Sequence, residues 1–99
     1  MAKSGKPAEV FPPGEFIREE LQARRWTQAD FARILGRPLQ VVNQIINGKK
    51  RITVETAKEI GLALGTGPEL WLNLENQYRL NTTAEPDQAI ARRAKNMAA

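Results

Sequence analysis

Between Leu39 and Asn47 the chain reads LQVVNQIIN, and four of those nine side chains are amides. On a helical wheel of about 100° per residue, Gln40, Asn43, Gln44 and Asn47 share one face at spacing i, i+3, i+4, i+7. Val41, Val42, Ile45 and Ile46 fall on the other face. Exposed helix faces are usually built from Lys and Glu, and this one has neither. An Asn or Gln presents a donor and an acceptor side by side, the geometry that pairs with the amino group and ring nitrogen of adenine in a major groove. The stripe is therefore expected to read base edges, although a plain water-facing helix would show the same spacing. Charge placement favours the reader. Arg37, Lys49, Lys50 and Arg51 lie in a stretch without a single acid, whereas Glu15, Glu19 and Glu20 cluster earlier.

A reading helix needs a partner that holds it against the duplex. Upstream stands WTQADFARILG, with Thr27 as N-cap, Asp30 near the helix start, Trp26 placed to staple onto Phe31, and Gly36 as terminator. Pro38 then opens the amide helix and Gly48 closes it. Two helices of about eight residues joined by GRP match the helix-turn-helix. Counting from Gln28, the fifth residue must be small where the helices cross, and it is Ala32; the ninth must accept a left-handed turn, and it is Gly36. Phe31, Leu35, Val42 and Ile45 occupy the positions that must be apolar to lock the pair. An ordinary helical hairpin could meet the same pattern by chance; the amide face and acid-free basic flank weigh against it.

The expected base contacts are Gln40, Asn43 and Gln44, with Pro38 and Leu39 near a thymine methyl, although burial would be a simpler role for Leu39. The expected phosphate contacts are Thr27 and Gln28 with the free N–H groups of their helix, then Asn47, Lys49, Lys50 and Arg51. Arg37 is either a further phosphate contact or simply solvated.

The remaining elements read as helices too. One starts after FPP and runs to about Arg25, with Ile17 and Leu21 inward. A fourth follows Thr53, with Ala57, Ile60 and Leu64 inward and Gly65 as its stop. A fifth begins at Pro68, carries Leu70, Trp71, Leu74 and Tyr78, and ends near Leu80. No alternating strand pattern is present, so the fold class is all-α, with five helices. Residues 1–12 read as an N-terminal arm, 13–80 as the DNA-binding domain, and 81–99 as a tail that is either helical from about Pro86 or loose at one end. Some residues of the fifth helix must cap the core. Leu70, Trp71, Leu74 and Tyr78 are also the expected dimer or partner interface, because a surplus apolar patch on a DNA binder suggests a second copy.

The 99 residues suit one domain, and 41% hydrophobic content can build a core without a staple. With no cysteine and no histidine, thiol chemistry, thiolate metal sites and imidazole catalysis are excluded. No cofactor is expected. No apolar run reaches membrane-span length and MAKSGKPAEV lacks a secretory core, so a cytoplasmic location without membrane contact is expected. The net charge of +4 is a mild bias towards polyanions.

PPGEFIREEL, TQADFARILG and VVNQIINGKKRITVETAKEIGLALGTGPELWLNLENQYRL together resemble the HigA-type antitoxins, a branch of the lambda-repressor-like helix-turn-helix superfamily. The similarity spans Pro13 to Leu80. The helix-turn-helix portion is common to the superfamily; NGKKRIT followed by LGTGPELWLNLENQY is closer to this branch. The resemblance implies a dimer that represses its own operon and neutralises a co-encoded RNA-cleaving toxin. Two departures stand out. A proline takes the place of the His that usually precedes PGE, and Trp26 stands where a smaller apolar residue is common.

Three other functions compete. A stand-alone repressor without a toxin would differ little in sequence. A protein-interaction module that has lost DNA binding is disfavoured by Gln40, Asn43, Gln44 and Lys49. An enzyme is the weakest reading, because acid–base work would rest on carboxylates, lysine or tyrosine and no glycine-rich phosphate loop is present.

Overall fold

The computed structural model describes residues 10–97, which form six helices and no strand. Most of the expected N-terminal arm lies outside the described residues. The helices are α1 (Pro13–Arg24), α2 (Gln28–Leu35), α3 (Leu39–Ile46), α4 (Val54–Leu64), α5 (Pro68–Thr82) and α6 (Ala89–Met97). Among the described residues no helix is long and apolar enough to cross a membrane.

Local chemistry sets most of the boundaries. The Thr27 hydroxyl accepts the Asp30 N–H at 3.0 Å while the Asp30 carboxylate accepts the Thr27 N–H at 2.9 Å, so two otherwise orphaned donors are satisfied at the start of α2. Thr53 and Thr56 make the corresponding reciprocal pair at α4. Gly36 ends α2 at φ 71°, a left-handed conformation that costs glycine nothing. Helix α1 stops at Arg25, which takes the same left-handed conformation at φ 58° without being a glycine. Helix α5 runs two residues past the expected Leu80. Helix α6 starts at Ala89, whose N–H is accepted by the Asp87 carboxylate at 2.9 Å, rather than at Pro86.

One core joins the first five helices. Ile17 and Leu21 of α1, Phe31 and Ala32 of α2, Val42, Ile45 and Ile46 of α3, Ala57, Ile60 and Leu64 of α4, and Trp71 of α5 form it, with Ile52 from the connection before α4. Each fully enclosed large side chain contributes on the order of 1.5–3 kcal/mol over exposure. Helix α4 packs along α5, α2 crosses α3, and α1 lies against α3 and α5. The α1–α3 contact depends on Gly14. A Cβ there would sit 1.7 Å from the Ile46 carbonyl oxygen, so the end of α3 rests directly on the backbone of α1. The reading helix is thus seated from below by α1 and from the side by α2. Helix α6 contributes no buried residue; Ile90 and Met97 are exposed.

Candidate nucleic-acid interface

The amphipathic split of α3 is realised in three dimensions. Val42, Ile45 and Ile46 are buried, Gln40 and Asn47 are exposed, and Asn43 and Gln44 are half-buried on the outward side. Pro38 is the N-cap of α3, and its carbonyl accepts the N–H groups of Val41 and Val42 at 3.0 and 3.2 Å. Leu39 is not buried but 45% exposed, so an apolar group stands beside Pro38 at the outer first turn. Leu39, Gln40, Asn43 and Gln44 therefore lie within the first six residues of α3, directly after the Pro38 N-cap.

At the other end, Gly48 turns the chain at φ 79° and the N–H groups of Lys49 and Lys50 fold back onto the Gln44 carbonyl at 2.8 and 3.1 Å. This hooks the cationic segment tightly to the end of α3. Lys49, Lys50 and Arg51 are all exposed there. Thr27 is exposed and Gln28 half-buried at the start of α2. The Thr27 hydroxyl accepts from Asp30 yet keeps its own proton to donate. The two hydrogen bonds with Thr27, backbone first, hold the Asp30 carboxyl below its ordinary value.

Arg37 has a different place. Its Nε and Nη2 donate to the two oxygens of Glu59 at 2.9 and 2.7 Å, and Glu55 lies 3.3 Å from Nη2. The fork-to-carboxylate hydrogen bonding raises the Arg37 pKa and lowers that of Glu59. Arg37 thus ties the turn of the helix-turn-helix to α4 while its side chain stays 29% exposed.

The expected interface residues divide as well. Trp71 is 1% exposed and its indole N–H donates to the Thr66 hydroxyl at 2.8 Å, so it is a core residue and offers no surface to a second copy, contrary to the expectation. The reason is geometric: α4 packs along the face of α5 that carries it. Leu74 and Tyr78 are half-buried, Leu70 is 45% exposed, and Leu80 is exposed.

Three residues that position the site escaped the sequence reading. Glu75 is 3% exposed; one carboxylate oxygen accepts the Ile52 N–H at 3.1 Å and the other pairs with Arg79. Arg79 also brings Nη2 within 3.5 Å of the Gly48 carbonyl. Together they latch both ends of the cationic loop to α5. A signal was present: Glu75 lies between Trp71 and Tyr78 at spacing i, i+4, i+7, and a carboxylate inside an apolar stripe is buried only when satisfied. The third is Arg18 of α1, whose Nη2 donates to the Asn47 side-chain oxygen at 2.6 Å. No local pattern marks it, because its partner is 29 residues away.

Comparisons with known proteins agree with this architecture. A family model described as helix-turn-helix matches residues 17–71, more than half of the chain. The HTH-type transcriptional regulator YddM of Escherichia coli is 31% identical over 78 residues, which cover 79% of this chain and 80% of that protein. Among solved structures, an addiction module antidote protein of the HigA family from Coxiella burnetii superposes with a TM-score of 0.70 at 31% identity, over 90% of this chain and 91% of that one. The Pseudomonas aeruginosa antitoxin HigA, solved with the higBA promoter, gives a TM-score of 0.72 at 26% identity over 92% and 97%. With the helix-turn-helix seated as described and relatives of this coverage, the chain belongs to the helix-turn-helix family, in its HigA-type, lambda-repressor-like branch.

Proposed function

We propose that this protein is a sequence-specific DNA-binding antitoxin of a toxin–antitoxin module, which represses its own operon as a dimer and neutralises a co-encoded RNA-cleaving toxin. The observation that carries the DNA reading is the outward amide stripe of α3, continued by a hooked loop of three exposed cations. In this reading residues 13–80 form the binding domain and α3 enters the major groove. Gln40, Asn43 and Gln44 read base edges, and Pro38 with Leu39 meets a thymine methyl. Thr27, Gln28, Asn47, Lys49, Lys50 and Arg51 hold phosphates and set the register. Leu70, Leu74 and Tyr78 of α5 supply the surface for the second copy. A two-fold dimer places its reading helices about 34 Å apart, so the operator is an inverted repeat. The antitoxin part is supported by the similarity to addiction-module antidotes. A stand-alone repressor is the second reading, favoured by the similarity to YddM, which is described as a transcriptional regulator.

Footprinting on the region upstream of its own gene tests the first part. Two protected half-sites one helical turn apart are expected, and protection of one isolated half-site by a monomer would overturn the dimer. Co-expression with the product of the neighbouring gene tests the second. Co-purification with rescued growth is expected; a harmless neighbour that never associates leaves the stand-alone repressor.

A further inference from the structure

We infer that Arg18 of α1 is a DNA-phosphate ligand, placed between the anchors at the two ends of the helix-turn-helix. This rests on the DNA-binding reading above and adds a residue from a helix outside the motif. Two independent placements carry it. The Arg18 guanidinium donates to the Asn47 side-chain oxygen at 2.6 Å, which holds its head at the C-terminal end of α3, where the cationic loop begins. The same side chain also lines a shallow surface cleft with Gln22, Thr27 and Gln28, at the start of α2. One exposed cation therefore spans the gap between the expected phosphate contacts of α2 and those that follow α3.

The partner's chemistry matters. Arg24, Arg37 and Arg79 each pair with a carboxylate, which cancels much of their field. The Arg18 bond to Asn47 is to a neutral amide oxygen, so that bond orients the guanidinium without cancelling its charge. A planar fork held from one side presents its remaining N–H groups in a fixed direction, the arrangement suited to two oxygens of one phosphate. Asn47 thereby becomes a positioning residue for Arg18 as well as a contact in its own right.

Salt dependence tests the assignment. The probes are a duplex from the region upstream of the gene and an unrelated duplex of equal length, each titrated at several salt concentrations. Arg18→Ala is expected to lose roughly tenfold or more in affinity on both duplexes, since a charge-assisted bond is removed. It should also flatten the plot of log affinity against log salt by about 0.9, the value for one phosphate contact. Arg18→Gln removes the charge while keeping a polar side chain, and is expected to flatten the plot equally. Arg18→Lys keeps the charge and is expected to keep the slope. Because Arg18 is exposed, thermal melts of all three should match the parent. A parent protein that binds with its slope unchanged in Arg18→Ala and Arg18→Gln overturns the role of Arg18 alone. A parent protein that binds neither duplex overturns the DNA reading with it.

Discussion

Replacing Glu75 with alanine breaks the latch between α5 and the loop that follows the reading helix. The carboxylate is 3% exposed, and its loss leaves the Ile52 N–H, on a residue 4% exposed, without its acceptor at 3.1 Å. An orphaned buried donor costs about 1–3 kcal/mol. Breaking a fully buried ion pair costs about 3–5 kcal/mol, but the Arg79 side chain is 28% exposed and can turn to water, so its share is smaller. The expected total is about 2–4 kcal/mol. In a domain of this size each kcal/mol moves the melting point by about 4–8 °C, so a fall of at least about 8 °C is expected. Glu75→Gln retains an acceptor for Ile52 and loses the charge, and should fall between the parent and alanine. Circular-dichroism melts give the stability. Hydrogen exchange at the Ile52 amide gives the local effect, with faster exchange expected in Glu75→Ala. At a temperature where Glu75→Gln stays folded, its affinity should drop uniformly across operator variants, because Arg79 loses the charged partner that holds it near the Gly48 carbonyl at the start of the cationic loop. A Glu75→Ala protein that melts within a degree or two of the parent would refute the latch.

Further perturbations probe the α1–α3 crossing, the DNA-facing residues and the hydrogen-bonded carboxylates. Gly14→Ala puts a Cβ 1.7 Å from the Ile46 carbonyl, so α1 and α3 must separate; a loss of about 1–3 kcal/mol and weaker DNA binding are expected, and an unchanged melt would show slack at that crossing. Gln44→Ala should cost about 1–3 kcal/mol on the preferred operator and less on one altered at the base it reads, whereas Lys49→Ala should weaken all duplexes alike and flatten the salt plot by about 0.9. Equal losses from both mutants on every sequence would mean that the amide stripe only rests near DNA. Asp30 and Glu59 are held below their ordinary values of 3.8 and 4.5, so the stability they add is fully present above those values and is lost as pH falls through the lowered folded ones. Urea midpoints should therefore drop on the acid side, and Glu59→Gln should flatten that limb; an identical pH profile would rule out a contribution from the Arg37–Glu59 pair.

What the sequence settled by itself are features whose physics acts within about four residues. The Thr27–Asp30 capping box, the left-handed stop at Gly36, the inward stripe of Ile17 with Leu21 and the apolar side of α3 depend on the helical repeat and on neighbouring backbone groups. The outward amides belong to the same class, since a helix that buries Val42, Ile45 and Ile46 must turn Gln40 and Asn47 to solvent. Tertiary structure decided which of several chemically equivalent groups acquires a distant partner. Arg37 and Arg18 are both arginines close to the motif, yet helix packing sets Arg37 against Glu59 and Arg18 against Asn47. On α5, Leu70 and Trp71 are adjacent and both apolar, and the packing of α4 along α5 encloses one and exposes the other. Glu75 becomes a structural acceptor because the fold brings the Ile52 N–H to it across 23 residues. Such pairings follow from helix crossings and close approaches like that of Gly14 on Ile46, which no local periodicity encodes.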